Sequence, residues 1–185
     1  MLNKCEDLIC SNYKRSSIRK IEYIIVHYQG CLASAASIAK YYKKTSNKVS
    51  AHYVIDDKKL YRCVQDKYIA WHCATSQIRH PLCTNTNSIG IDVIASKLDK
   101  TSCRAEDNDW FLTEETWNNA VELIAELCKK YNISIDNVVR HYDVTGKLCP
   151  RQFCTDIMNE YSGNTGNKDW LLFKADIKAK IESLN

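Results

Sequence analysis

The chain has 185 residues, 26 basic and 22 acidic, for a formal charge of +4; that length suits one domain able to bury about 70% of its unfolded surface without cross-links. A hydrophobic share of 45%, a charged share of 26%, five Gly and two Pro exclude fibrous and disordered classes. The net charge is too small and too dispersed to argue for a nucleic-acid partner.

Residues 1–20 are polar, end in the basic cluster Lys14, Arg15, Arg19 and Lys20, and read as a lead-in segment packed on the domain. They hold no apolar run of signal-peptide length, which gives an expectation of cytoplasmic synthesis without standard export. No stretch approaches the roughly 18 apolar residues of a membrane span, so no membrane insertion is expected. The run IEYIIV (21–26) is a buried strand by its continuous β-branched and aromatic character. A helix over 34–44 follows, with Ser34 as N-cap and Ile38, Tyr41 and Tyr42 on its apolar face. Residues 51–55, the turn 56–59 and residues 60–64 predict a hairpin. SIGIDVIA (88–95) is a second buried strand.

Thr113, Glu114 and Glu115 mark a helix start, and Trp117, Val121, Ile124, Leu127 and Cys128 carry its apolar face to about residue 132. Val138 and Val139 form a short strand, followed by a polar loop through Pro150. Residues 169–184 predict a last amphipathic helix with Leu172, Ile177 and Ile181 inward. Alternating strands and helices give an α/β class with a single mixed central sheet flanked by helices. The ten Cys contain no Cys-x-x-Cys pair. In a reducing compartment they are expected mostly as free thiols.

His27 and His141 each follow a predicted buried strand, where a side chain reaches a cleft, and Cys149 lies across a loop containing Gly146. Two imidazoles and a thiolate suit tetrahedral zinc with one position left to water. Taken singly, each of these histidines reads more readily as a hydrogen-bonded structural residue than as a ligand. Asp92 interrupts an apolar strand, where an ionised group is costly unless it meets a cleft or a partner. His52 reads as a packed or hydrogen-bonded strand residue and His80, before Pro81, as a loop residue. Tyr142 and Asp143 are expected to orient His141.

The segments IIVHYQG, SAHYVIDD, AWHC, NTNSIGIDV and HYDVTGKLCP, in that order over residues 20–155, resemble those of the type-2 N-acetylmuramoyl-L-alanine amidases. That family includes phage endolysins, bacterial autolysins and animal peptidoglycan-recognition proteins. The resemblance implies an amidase-2-like catalytic domain over residues 21–185 with one zinc per chain, held by His27, His141 and Cys149. It implies Lys147 as a catalytic lysine and Asp92 as general base, at a position where related endolysins usually carry Glu. It implies Trp71 and His72 in the substrate groove. Peptidoglycan is the implied partner, with no obligate protein partner, and the implied reaction cleaves the amide between the lactyl group of N-acetylmuramic acid and L-alanine. Release onto the wall as an endolysin fits the missing signal. Two alternatives stay open: a non-hydrolytic wall-binding module of the same fold, and a Cys–His wall peptidase.

Overall fold

The apolar run at 21–26 supplies a strand inside the sheet. The computed structural model describes residues 5–16, 18–73, 79–154 and 168–184. In chain order the elements are β1 (Cys5–Asp7), β2 (Tyr13–Lys14), β3 (Tyr23–His27), α1 (Ala35–Lys44), β4 (Tyr53–Ile55), β5 (Leu60–Arg62), β6 (Ile69–Ala70), β7 (Ser88–Val93), β8 (Ser96–Lys97), β9 (Trp110–Phe111), α2 (Glu114–Tyr131), β10 (Val138–Arg140), α3 (His141–Thr145) and α4 (Lys168–Ser183). Six strands form one mixed sheet in the order β1-β5-β4-β7-β3-β10. Only the β4–β5 hairpin is antiparallel; the other pairs run parallel.

Side chains alternate across a strand, so one face of β3 and β7 differs from the other. Ile24, Val26, Ile89 and Ile91 pack against Ala120 and Ile124 of α2 and Phe173 and Ile177 of α4. Val54 of β4 packs under Ala35, Ala39 and Tyr42 of α1 on the opposite face. His27 and Asp92, one residue beyond Val26 and Ile91, therefore lie on the face away from α2 and α4. They are Cα partners in the parallel ladder.

Local chemistry explains the helix ends. Ser34 accepts from the Ser37 amide at the start of α1, and Thr113 accepts from the Thr116 amide at the start of α2. Glu114 and Glu115 sit in the first turn of α2 and Lys129 and Lys130 in its last, complementing the helix dipole.

Four expectations differ from the structure. Cys5–Asp7 of the lead-in pairs with β5 as an edge strand of the main sheet. Tyr42 is buried, but its neighbour Tyr41 points to solvent. In α4 the inward residues are Trp170, Phe173 and Ile177, at helical spacing, and Leu172 is 55% exposed because it lies one residue off that stripe. The loop after β10 contains the short helix α3. None of the ten cysteines forms a disulfide. No helix among the described residues is long and apolar enough to cross a membrane.

Candidate active site

Strands β10, β3 and β7 run parallel, so their C-terminal ends share one edge of the sheet, where α/β folds characteristically bind ligands. Arg140 pairs with Val26, which brings His141, the first residue of α3, beside His27; the ring centroids are 4.6 Å apart. Helix α3 begins where the Arg140 amide donates to Asp143 Oδ2 at 2.8 Å, and the Arg140 guanidinium pairs with the same carboxylate. Asp143 thus holds the helix start and is taken up by Arg140. The α3 helix ends at Gly146 with φ of +81°, a left-handed conformation suited to glycine.

The chain then turns back. The Tyr142 amide donates to the Cys149 carbonyl at 2.9 Å and the Cys149 amide to the Lys147 carbonyl at 2.6 Å. This closure sets Cys149 Sγ 3.9 Å from His27 Nδ1. One ligand atom each from His27, His141 and Cys149 lies within 4.8 Å of the others. The fold therefore brings together the three residues that the sequence singled out as candidate ligands.

The donor set fits a metal ion. Both ring nitrogens of His141 are buried without a hydrogen-bond partner among the described residues, a costly arrangement that coordination relieves. His27, His141 and Cys149 are 5%, 5% and 2% exposed. Burial holds His141 down at about 4, helped by the Lys147 charge, and burial with the nearby His141, His72 and Lys147 holds His27 well below the ordinary range. Both rings are thus neutral, as ligation requires. Burial raises the Cys149 thiol to about 12, so it keeps its proton until a cation replaces it.

Asp92 is 3% exposed. Burial raises its carboxyl to about 6, against the opposing pull of Tyr42, Gln29 and the Lys147 charge. Tyr42 donates to Asp92 Oδ2 at 2.6 Å, and Gln29 Nε2 donates to Tyr42 Oη at 2.9 Å. Sequence reasoning missed Tyr42 and Gln29. The available signal was the demand of a buried carboxylate for a donor. Lys147 is exposed on the loop between His141 and Cys149.

Trp71 and His72 follow β6, and both are half-buried. His72 Nδ1 lies 3.0 Å from His27 Nε2. His52 takes the Gly90 amide on Nδ1 and contacts the Tyr68 carbonyl, and His80 Nδ1 accepts from the Leu82 and Cys83 amides, as structural histidines do. Beyond the C-terminal ends of β3, β4 and β7 lies a cleft of about 320 Å³ lined by residues that include Leu32, Ser34, Lys58, Ile94 and Lys100.

Residues 17–152 match the family model described as N-acetylmuramoyl-L-alanine amidase. Among curated relatives, the amidase CwlL of Bacillus licheniformis is 32% identical over 148 residues, 74% of this chain and 38% of that protein. CwlA of Bacillus subtilis strain 168 is 27% identical over 165 residues, 89% of this chain and 52% of that protein. The chain thus spans about two fifths to one half of these relatives. Among solved structures, PlyL superposes with a TM-score of 0.69 at 26% identity, covering 94% of this chain and 96% of that one. A mutant endolysin from Bacillus subtilis gives 0.66 at 27% identity, covering 96% and 99%. With a match of that extent and the same fold, the chain belongs to the N-acetylmuramoyl-L-alanine amidase family.

Proposed function

We propose that the protein is a zinc-dependent peptidoglycan amidase that hydrolyses the bond between the lactyl group of N-acetylmuramic acid and L-alanine of the stem peptide. The observation that carries this is the gathering of the buried His27, His141 and Cys149 donor atoms within 4.8 Å of one another in a chain of this family. Zinc held by those three residues would supply Lewis acidity, activating water and polarising an amide carbonyl.

The remaining chemistry falls to the chain's own groups. Asp92, ionised above about pH 6, takes a proton from water at a carboxylate oxygen and returns it to the departing amine nitrogen. Tyr42 holds that carboxylate in one orientation. Lys147 offers its ammonium to the negative charge that develops on the carbonyl oxygen. The cellular role that fits is lysis of a host wall, by likeness to the Bacillus subtilis endolysin.

Mass spectrometry of digested peptidoglycan tests the bond. Free N-terminal alanine without new reducing sugar ends is expected. New reducing ends, or cleavage within the stem peptide, would refute it. Loss of activity in chelator with recovery on zinc addition would exclude Cys149 acting alone as a nucleophile.

A further inference from the structure

We propose that His72 is a positioning residue for the metal site: through a hydrogen-bond chain anchored on the Thr84 carbonyl, it sets the tautomer of His27 that leaves Nδ1 free to bind metal. The inference rests on the metal site proposed above.

The direction of every link is forced. A carbonyl oxygen accepts and never donates, so Ser88 Oγ gives its one proton to Thr84 O at 2.6 Å. That hydroxyl then has only lone pairs to offer His72 Nε2, 3.3 Å away, so His72 carries its proton on Nε2. Its other nitrogen, Nδ1, accepts. His27 Nε2 lies 3.0 Å from it and therefore donates. Cys73 Sγ approaches the same nitrogen at 3.5 Å, a longer contact from a weak donor. With its proton committed to Nε2, His27 presents a lone pair at Nδ1, the atom nearest Cys149 Sγ at 3.9 Å.

The chain is built on rigid parts. The His27 and His72 rings meet at 90°. His72 packs directly over Gly90, where a Cβ would come within 2.5 Å of its ring. The His72 and Cys73 amides both donate to Asn85 Oδ1, fixing the backbone beneath the ring. Ligand orientation is thus set before any metal arrives, and no tautomer change has to accompany binding.

Two measurements test this. Nitrogen-15 NMR of the metal-free wild type should show His27 and His72 both protonated at Nε2; an Nδ1-protonated His27 would overturn the proposal. Zinc affinity, measured by chelator competition, should fall about 10- to 100-fold in His72→Leu, which removes the acceptor. His72→Asn, whose Oδ1 replaces that acceptor, should recover much of the loss. Ser88→Ala should weaken binding in the same direction by releasing the His72 tautomer. Wild-type affinity in His72→Leu would overturn the proposal. If that variant fails to fold, Ser88→Ala and the NMR tautomers decide. A wild-type protein that binds no zinc would instead refute the metal site, distinguishably, because the tautomers are read without metal.

Discussion

Tyr42 donates its hydroxyl to Asp92 Oδ2 across 2.6 Å, joining the buried face of α1 to a carboxylate that β7 holds opposite His27. An unpartnered carboxylate there would be too costly to keep ionised. Asp92→Asn keeps the shape and removes the proton acceptor. Turnover on peptidoglycan should drop by about 10²–10⁴, while elemental analysis finds zinc retained and thermal stability stays near wild type. Undiminished turnover would move the base role elsewhere.

Lys147 is exposed, so replacing it should not disturb folding. Its charge nevertheless lowers the protonation of His27 and His141, which places the ammonium within electrostatic reach of the site. Lys147→Gln should lower kcat by about 10²–10³, the loss expected of one oxyanion-stabilising donor. Zinc content should not change. A change confined to KM would mark Lys147 as a substrate contact.

Both nitrogens of the His141 ring lack a partner among the described residues, so metal binding should show in stability as well as in rate. A ligand that binds only the folded state at 1,000 times its Kd adds about 4 kcal/mol. Zinc should therefore raise the Tm of the stripped protein, and His141→Ala should abolish that rise. His27→Ala and Cys149→Ala should lose bound zinc on elemental analysis. Full zinc in both variants would refute the ligand set.

What could be read from the sequence was whatever local pattern records. The β-branched run before His27, the Val138–Val139 pair before His141 and the caps of α2 each leave a mark within a few residues. Tyr42 does not. Helical periodicity marked it as buried but carries no information about a carboxylate fifty positions later, because that contact exists only once α1 has packed on the sheet over β4 and β5. His72 stayed ambiguous for the same reason: its links to His27 and Ser88 cross between segments. Helix α3 is five residues long, too short for a period to emerge, and its start depends on the Arg140–Asp143 pair. The edge strand at Cys5–Asp7 is polar and gains its partner from β5, far along the chain. Non-local pairing decided Tyr42, His72 and the edge strand; for α3 it was the shortness of the helix.

Asp66 gives the fold a pH dependence separate from the candidate metal site. It accepts from Tyr53 Oη at 2.6 Å on one oxygen, and from Tyr131 Oη at 2.6 Å and Lys130 Nζ at 2.9 Å on the other. The carboxylate thereby ties β4 to the C-terminal end of α2. Burial alone would raise its pKa, but the donors Tyr131, Tyr53 and Lys130 outweigh it and hold the group below the ordinary 3.8. A depressed folded pKa means that the stabilisation is complete above the unfolded value and is lost as pH falls through the folded one. Wild-type stability should therefore decline as pH drops below about 4. Asp66→Asn removes the titrating group and turns an amide toward donors. It should cost about 2–3 kcal/mol at pH 7, the scale of a hydrogen bond to a charged group with a buried hydroxyl left poorly paired. Because the variant has nothing to lose on acidification, its deficit should shrink between pH 4 and 2, as denaturant titrations at each pH would show. A deficit that stayed constant over that range would mean that Asp66 acts there through shape and not through its charge.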